Sequence, residues 1–156
     1  MSAASFALDT VAAGSAATAL TTATILCLGH ERDTSMWAPL NAVGHMAFGD
    51  EAAAHTELST KYTGTGTALN TGAMFAWAAT YAGVMKMLPR QDLPAAIGAG
   101  VAVSAAAYVI DYYVVPRRLT PGFEKRLSGR SLFWVYSALA AGLAAGWTVH
   151  RSRSTR

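Results

Sequence analysis

Four nearly charge-free stretches dominate this chain and limit what it can fold into. Each is 19 to 24 residues long, and together they hold more than half of the 156 residues: Ser5–Leu28, Leu69–Leu88, Leu93–Val115 and Ser131–Val149. A helix needs about 20 apolar residues to cross a hydrocarbon core roughly 30 Å thick. Backbone N–H and C=O groups must be satisfied within the chain in that core, so helices are expected rather than strands. The sequence predicts one all-α integral membrane domain, a bundle of four transmembrane helices.

The composition supports the same class and excludes others. Hydrophobic residues make up 53% of the chain and charged residues 13%, about half the share of roughly 25% usual in soluble domains. The single cysteine, Cys27, excludes a disulfide scaffold within the chain. The basic residues flank the apolar stretches, which indicates anchors at a membrane surface and no nucleic-acid partner. We expect a multi-pass protein of the cell membrane (the inner membrane, in a bacterium) that contacts the lipid bilayer.

The first stretch is the least suited to face lipid on all sides. It is rich in alanine and threonine, and it carries Asp9, which we expect near the membrane surface rather than buried. Small residues also recur every four positions in three of the stretches, where flat stripes let helices approach closely. These stripes are Thr10, Gly14, Thr18 and Thr22; Gly72, Ala76 and Thr80; and Ala138, Gly142 and Gly146. They predict tight packing within the chain, on a second copy or on a membrane-protein partner, unless they only reflect composition.

A shorter apolar segment, Trp37–Gly49, follows the first stretch. Its 13 residues would form a helix about 20 Å long, which is too short to span the membrane. The segment therefore predicts a short re-entrant or interfacial helix, with Pro39 in its first turn and Ser35 or Thr34 as its N-cap.

Polar residues in and after this segment form the first candidate site. Asn41 and His45 share a helix face, as do Glu51 and His55, and Asp50 lies between the pairs. Because imidazole and carboxylate groups suit zinc, iron or manganese, His45, Glu51 and His55 are weak candidates for metal ligands. Their spacing matches no known ligand signature, so no metal is predicted and the cofactor is left unknown. The alternative is a solvated loop in which these side chains pair locally.

Asp111, inside the third stretch, is the most informative single residue. An acidic side chain in a membrane span is costly and usually faces a partner or a water-filled cavity. The residue lies about 6 Å from the end of its stretch. Two hypotheses stay open: a polar functional site, or a structural pair with Arg117 or Arg118 beside a belt of tyrosines. The belt consists of Tyr108, Tyr112 and Tyr113.

The segment Pro116–Arg130 combines basic residues with apolar ones at helical spacing. Leu119, Phe123 and Leu127 recur every four residues, and a proline and a glycine suit the two helix ends. The pattern predicts a short amphipathic helix lying on the membrane. Its basic residues are expected to bind anionic lipid headgroups or the acidic patch of a partner protein: Arg117, Arg118, Lys125, Arg126 and Arg130.

Three functions are compatible with these features. The first, which we expect, is a non-catalytic accessory, assembly or oligomeric module held by the small-residue stripes. The second is a small transporter or channel in which Asp111 lines a polar path. The third is a membrane-surface enzyme acting on a lipid or quinone, with His45, Asp50, Glu51 and His55 as acid/base groups or ligands. No nucleophile, redox or haem-attachment motif is present, so no catalytic residue is assigned.

Overall fold

A computed structural model describes residues 3–33 and 35–154 of the chain. Most of these residues belong to four long helices: α1 (Ala3–Asp33), α5 (Thr65–Met87), α6 (Leu93–Val109) and α7 (Gly129–Ser154). Three short helices lie between α1 and α5: α2 (Ala38–Val43), α3 (His45–Phe48) and α4 (Glu51–Ala54). One π-helical turn leads into α5 and another extends α6: Thr60–Gly64 and Ile110–Val114. The described residues contain no strand, so the all-α class is confirmed.

Three of the long helices are long and apolar enough to cross a membrane. Within the described residues these are Ala3–Glu31 of α1, Leu93–Val114 of α6 with its π-helical turn, and α7. They indicate a membrane protein. The remaining long helix, α5, has 23 residues and is about 34 Å long, but it is not among the apolar three.

The four long helices pack side by side. α1 lies between α5 and α7, and α6 packs against both α7 and α5. Neighbouring helices run antiparallel, since Asp9 near the start of α1 lies beside His150 near the end of α7. The end that carries residues 35–64 and 115–128 is called the cap end here. The opposite end, where α1 starts and α7 finishes, is called the terminal end.

Glycines let α1 and α7 approach each other at backbone distance. A Cβ atom at Gly146 would lie 2.3 Å from the carbonyl oxygen of Ala12, and one at Gly142 would lie 2.5 Å from the Cα of Ala17. On the other side of α1, a Cβ atom at Gly14 would lie 3.0 Å from the ring of Phe75 in α5. Two of the three predicted small-residue stripes are therefore used inside the chain.

Asp9 is fully buried within the protein, so the prediction that it is not buried was wrong. Its carboxylate accepts hydrogen bonds from Nδ1 of His150 at 2.9 Å and from Nη2 of Arg151 at 3.0 Å. The guanidinium of Arg151 also lies 5.3 Å from the ring centroid of Trp147. A buried carboxylate persists when basic groups compensate its charge. His150 and Arg151 lie 141 and 142 residues after Asp9, so its position in the first stretch did not reveal these partners.

Trp37–Gly49 forms two short helices, α2 and α3, where the sequence predicted one. The two helices are separated at Gly44, where the hydrogen bond spans three residues instead of four. The N–H of Gly44 donates to the carbonyl oxygen of Asn41 at 2.9 Å. Every residue of α2 is buried, and the helix packs against α1 and α5. α2 is thus part of the core at the cap end, whereas α3 beyond His45 is half-buried or exposed.

The start of α2 follows the predicted pattern. Pro39 stands in its first turn, and the Ser35 hydroxyl accepts hydrogen bonds from the N–H groups of Trp37 and Ala38, both at 3.3 Å. The N-cap position itself is Trp37, which has no side-chain cap, so Ser35 acts from two residues before the N-cap position predicted for it. The other candidate cap, Thr34, lies outside the described residues.

The predicted amphipathic helix over Pro116–Arg130 was wrong. The segment contains two short 3₁₀ turns, Arg117–Leu119 and Phe123–Lys125, and Gly129 begins α7 instead of ending a helix. The chain between the turns reverses at Gly122, whose φ of 84° favours glycine. A Cβ atom there would lie 2.5 Å from the carbonyl oxygen of Ala42 in α2. Because the chain passes this close to α2 at Gly122, it turns there instead of forming the predicted helix.

The apolar residues of this segment face the protein core rather than lipid. Phe123 and Leu127 are buried in a cluster with Ile25 of α1 and Val43 of α2. Only Leu119 of the predicted apolar face is exposed. The spacing of these residues reflects core packing by an irregular loop.

The close approach of α1 and α7 predicts that Gly146→Ala lowers the free energy of unfolding. The expected loss is about 1–3 kcal/mol, the usual cost of overpacking, because the added methyl group meets the α1 backbone. Gly98→Ala on α6 is the matched control, since nothing lies within 4 Å of a Cβ atom there; it should be neutral or slightly stabilising. Reversible unfolding in micelles measures both, and equal stabilities would contradict this packing.

Candidate functional site

The cap end gathers most of the predicted site residues. Residues 35–64 supply the predicted histidine and acidic side chains, and residues 115–128 supply most of the basic ones. The two segments contact each other through α2, α3 and the two 3₁₀ turns. Polar groups far apart in the sequence therefore meet in one layer over the helix ends.

Asn41 holds residues 55–63 onto α2. Its side chain is fully buried, and its Nδ2 donates to the carbonyl oxygens of His55 at 3.0 Å and Glu57 at 2.9 Å. Its Oδ1 accepts a hydrogen bond from the Thr63 hydroxyl at 2.5 Å. Both donors of the amide and its carbonyl are thus engaged within the protein, which is a structural role.

His45 connects the two segments of the cap. The residue is only 4% exposed, and its Nε2 lies 2.8 Å from the carbonyl oxygen of Thr120. A carbonyl oxygen only accepts, so the proton is assigned to Nε2. A Cβ atom at Gly122 would lie 2.6 Å from the imidazole, so the second segment fits directly against this side chain.

Asp50 and Glu51 each form an ion pair with a lysine. The hydrogen bond from Lys125, followed by its charge, lowers the pKa of Asp50 below its ordinary value of 3.8. Lys61 donates to Glu51 at 3.2 Å and the Tyr62 hydroxyl donates to the same oxygen at 3.1 Å, which lowers the pKa of Glu51. Both carboxylates are exposed, so each pair adds little to stability. The Lys125 pair nevertheless crosses between the two segments.

His55 pairs with Glu57 rather than with Glu51. Its Nδ1 lies 2.6 Å from Oε1 of Glu57, and its ring stacks on Tyr62 with the centroids 4.1 Å apart. The weak metal-ligand candidates His45, Glu51 and His55 therefore each have a protein partner. Within residues 3–33 and 35–154, no group of three or more His, Cys, Asp or Glu side chains is placed to hold a metal ion.

Two of the predicted headgroup-binding residues are used inside the cap. Lys125 pairs with Asp50, and Arg126 donates to the carbonyl oxygen of Ala53 through Nη2 and, at 2.8 Å, through Nε. These contacts fasten residues 123–126 to α4 and the turn before it. Both side chains stabilise the cap.

The other basic residues face outward. Arg117, Arg118 and Arg130 are exposed, and Arg117 and Arg118 line an open cleft of about 850 Å³ beside His45 and Glu124. In the described part of the chain these three arginines form no ion pair. Binding of anionic headgroups by them stays a prediction.

Asp111 contacts a tyrosine rather than the predicted arginines. It lies in the π-helical turn after α6, and its Oδ2 accepts a hydrogen bond from the Tyr136 hydroxyl of α7 at 2.6 Å. Tyr108 and Tyr112 pack edge-on against Tyr136, with centroids 5.3 and 6.2 Å away. Two members of the predicted tyrosine belt therefore join a cluster between α6 and α7, and Tyr113 is exposed.

Sequence reasoning missed Tyr62, Thr63, Thr120 and Tyr136. Thr120 contacts His45 through its backbone carbonyl. Every residue has such a carbonyl, so the residue type could not reveal this contact. Tyr136 did carry a signal: a tyrosine inside a membrane span needs a hydrogen-bond partner, and Asp111 lies at the same depth of the neighbouring helix.

No known protein family, curated protein or solved structure matches this chain.

The buried amide of Asn41 predicts a large effect of its removal. Asn41→Ala is expected to lower the free energy of unfolding by about 1–3 kcal/mol, because the carbonyls of His55 and Glu57 lose their buried donor. Glu57→Gln alters an exposed side chain and should leave stability nearly unchanged. Detergent-micelle unfolding, with proteolysis of residues 55–63 as a local probe, measures both variants. Similar stabilities of the two would contradict the role of Asn41.

The Asp50–Lys125 pair predicts a pH-dependent difference between the wild type and Asp50→Asn. The pKa of Asp50 is lower in the folded chain than its ordinary value of 3.8, so folding favours the charged carboxylate. The pair therefore stabilises the fold above pH 3.8 and loses this effect as the pH falls through the folded pKa. Unfolding should show Asp50→Asn slightly less stable than the wild type at neutral pH and equally stable at strongly acidic pH, the difference being small because the pair is exposed. A difference that grows on acidification would contradict this sign.

Proposed function

We propose that this chain is a non-catalytic membrane module that crosses the bilayer four times and assembles with a second copy of itself. The observation that carries the proposal is the outer face of α5, which is exposed but built from small residues. The proposed location is the cell membrane.

The contacts of α5 support a fourth crossing. Its Asn70 lies 3.5 Å from Thr22 in the second half of α1, and its Tyr81 hydroxyl donates to the carbonyl oxygen of Ala96 in the first turn of α6 at 3.1 Å. α5 therefore runs from the cap end to the terminal end at the same depth as its neighbours. A helix in that position shares the hydrocarbon core with them, whatever its own hydropathy.

The outer face of α5 differs from those of the other three long helices. α1, α6 and α7 each expose several large apolar side chains, as expected of lipid-facing surfaces: Leu8, Val11 and Leu20; Leu93, Ile97 and Val101; Phe133, Trp134 and Val149. The large apolar side chain that α5 exposes most, Met87, is its last residue. The exposed positions along its length are mostly small: Ala68, Gly72, Ala76 and Thr80.

Such a face favours a helix over lipid. Small residues give lipid chains little apolar area to cover, but they let a second backbone approach closely. Nothing lies within 4 Å of a Cβ atom at Gly72, so its own chain does not use this stripe. A stripe on one helix can pair with its own copy about a two-fold axis, the commonest symmetry of homo-oligomers.

The cap favours a non-catalytic role. Asn41, His45, Asp50, Glu51 and His55 each contact a protein group that holds the two cap segments together. α2, buried beneath them, is proposed to enter the membrane surface as an interfacial or re-entrant helix. These side chains thus have a structural purpose without any substrate.

Gly72→Leu is expected to weaken self-association about tenfold. This corresponds to about 1.4 kcal/mol, within the range of roughly 1–2 kcal/mol for interhelical contacts in membranes. The single exposed Cys27 accepts donor or acceptor dyes, so energy transfer in lipid vesicles measures association against the protein-to-lipid ratio. Gly98→Leu, on the outer face of α6, is the matched control and should associate like the wild type.

Two results would overturn the proposal. Absence of energy transfer in the wild type at high protein-to-lipid ratio excludes self-association, and capture of one defined membrane protein would then replace the second copy. Unchanged association of Gly72→Leu excludes the α5 face. Neither result depends on misfolding, because a larger side chain at Gly72 meets no atom of its own chain within 4 Å of Cβ.

A further inference from the structure

A small cavity lies among the four long helices beneath the cap. Its volume is about 90 Å³, room for about three water molecules at roughly 30 Å³ each. Thr21 of α1, Asn70 of α5, Tyr136 of α7 and Asp111 of the π-helical turn line it, and Phe123 of the cap covers it. Polar groups from the four sides of the helix assembly therefore meet in one interior space.

The carboxyl group of Asp111 lines this cavity with no basic residue of the described chain paired to it. Its one hydrogen bond comes from the Tyr136 hydroxyl, and it forms no ion pair within the described residues. Asp9, a buried acid of α1, has His150 and Arg151 as partners. An ionised carboxylate at membrane depth is costly unless a positive charge lies next to it. The cavity is the place where such a charge fits.

Asn70 provides a second oxygen at this site. The residue is 3% exposed, and its single hydrogen bond is the 3.5 Å contact from its Nδ2 to the Thr22 hydroxyl. Its carbonyl oxygen accepts no hydrogen bond from the described residues. Asn70 lines the cavity, and its oxygen is not among the fully enclosed unpaired atoms of the described residues, so it is open to an ion or water bound there.

The hydroxyl groups complete a set of neutral oxygens. Tyr136 donates its proton to Asp111, and Thr21 donates its proton to the carbonyl oxygen of Ala17 at 2.8 Å. The Thr21 oxygen accepts no hydrogen bond from the described residues, whereas the Tyr136 hydroxyl also interacts with the hydroxyl of Tyr112. Oxygen ligands of this kind suit hard cations, whose hydration shell they replace.

We infer that this cavity binds one small monovalent cation, with Asp111 as its charged ligand and Asn70 as a neutral one. One carboxylate balances one positive charge. A calcium ion takes six to eight oxygen ligands, commonly including several carboxylates, which the cavity lacks. The π-helical turn places the acid here, and such turns occur often at functional sites. The inference is independent of the α5 face, which lies on the outside of the molecule.

Equilibrium binding of radioactive Na⁺ to the purified full chain tests this inference. The wild type should bind about one ion per chain in a saturable manner, and cold Na⁺ or K⁺, but not choline, should compete. Asp111→Asn should lose at least tenfold in affinity, and Tyr136→Phe should lose several-fold. Asp50→Asn removes an exposed carboxylate at the same end of the molecule and should bind like the wild type.

Two outcomes overturn the inference. The first is a wild type without saturable Na⁺ or K⁺ binding, a result that does not depend on the folding of any variant. The second is a wild-type infrared band of a protonated carboxylic acid that Asp111→Asn removes, because a neutral acid needs no cation. Saturation by K⁺ in preference to Na⁺ supports the site and sets its selectivity.

Discussion

The backbone contact between α1 and α7 is the constraint on which the rest of the structure depends. Gly142 and Gly146 let the two helices approach so closely that a single methyl group would overlap the facing chain. At the terminal end, the same contact encloses Asp9 with its partners His150 and Arg151. α1 is thereby fixed between α7 and α5, and α6 closes the assembly against both. The interior space beneath the cap exists because these four helices are held in this order.

The cap completes the fold with polar contacts in place of a regular helix. Asn41 ties one segment to α2, and His45 ties the other segment to α3 through a backbone carbonyl. Phe123 fills the space between them and the helix ends. Asn41 and His45, which belong to the polar cluster predicted from the sequence, therefore contact backbone carbonyls that hold the cap segments in place. Asp111 lies below the cap, where it contacts Tyr136 of α7.

The structural features that could be predicted from the sequence are those set by the pattern of neighbouring residues. Apolar length gave the all-α class and the positions of the four long helices, because the requirement to satisfy backbone groups in lipid is local. Long-range partners were not predictable: Asp9 was misplaced because His150 and Arg151 lie 141 and 142 residues away. The loop after α6 was misread as a helix because the spacing of Phe123 and Leu127 fits either a helix face or a buried loop. At the candidate sites, Asp111 was recognised by its cost at membrane depth, but its partner Tyr136 required the packing of α6 on α7.

The salt bridge at the terminal end also has a consequence for biosynthesis. Asp9 lies in α1, whereas its partners His150 and Arg151 lie in α7, so the acid is synthesised 141 and 142 residues before them. α1 therefore lacks the basic partners of Asp9 until α7 has been synthesised. A chain that stops short of α7 lacks both the counter-charge and the glycine surface that α1 needs. The arrival of α7 is then the step that allows α1 to take its packed position.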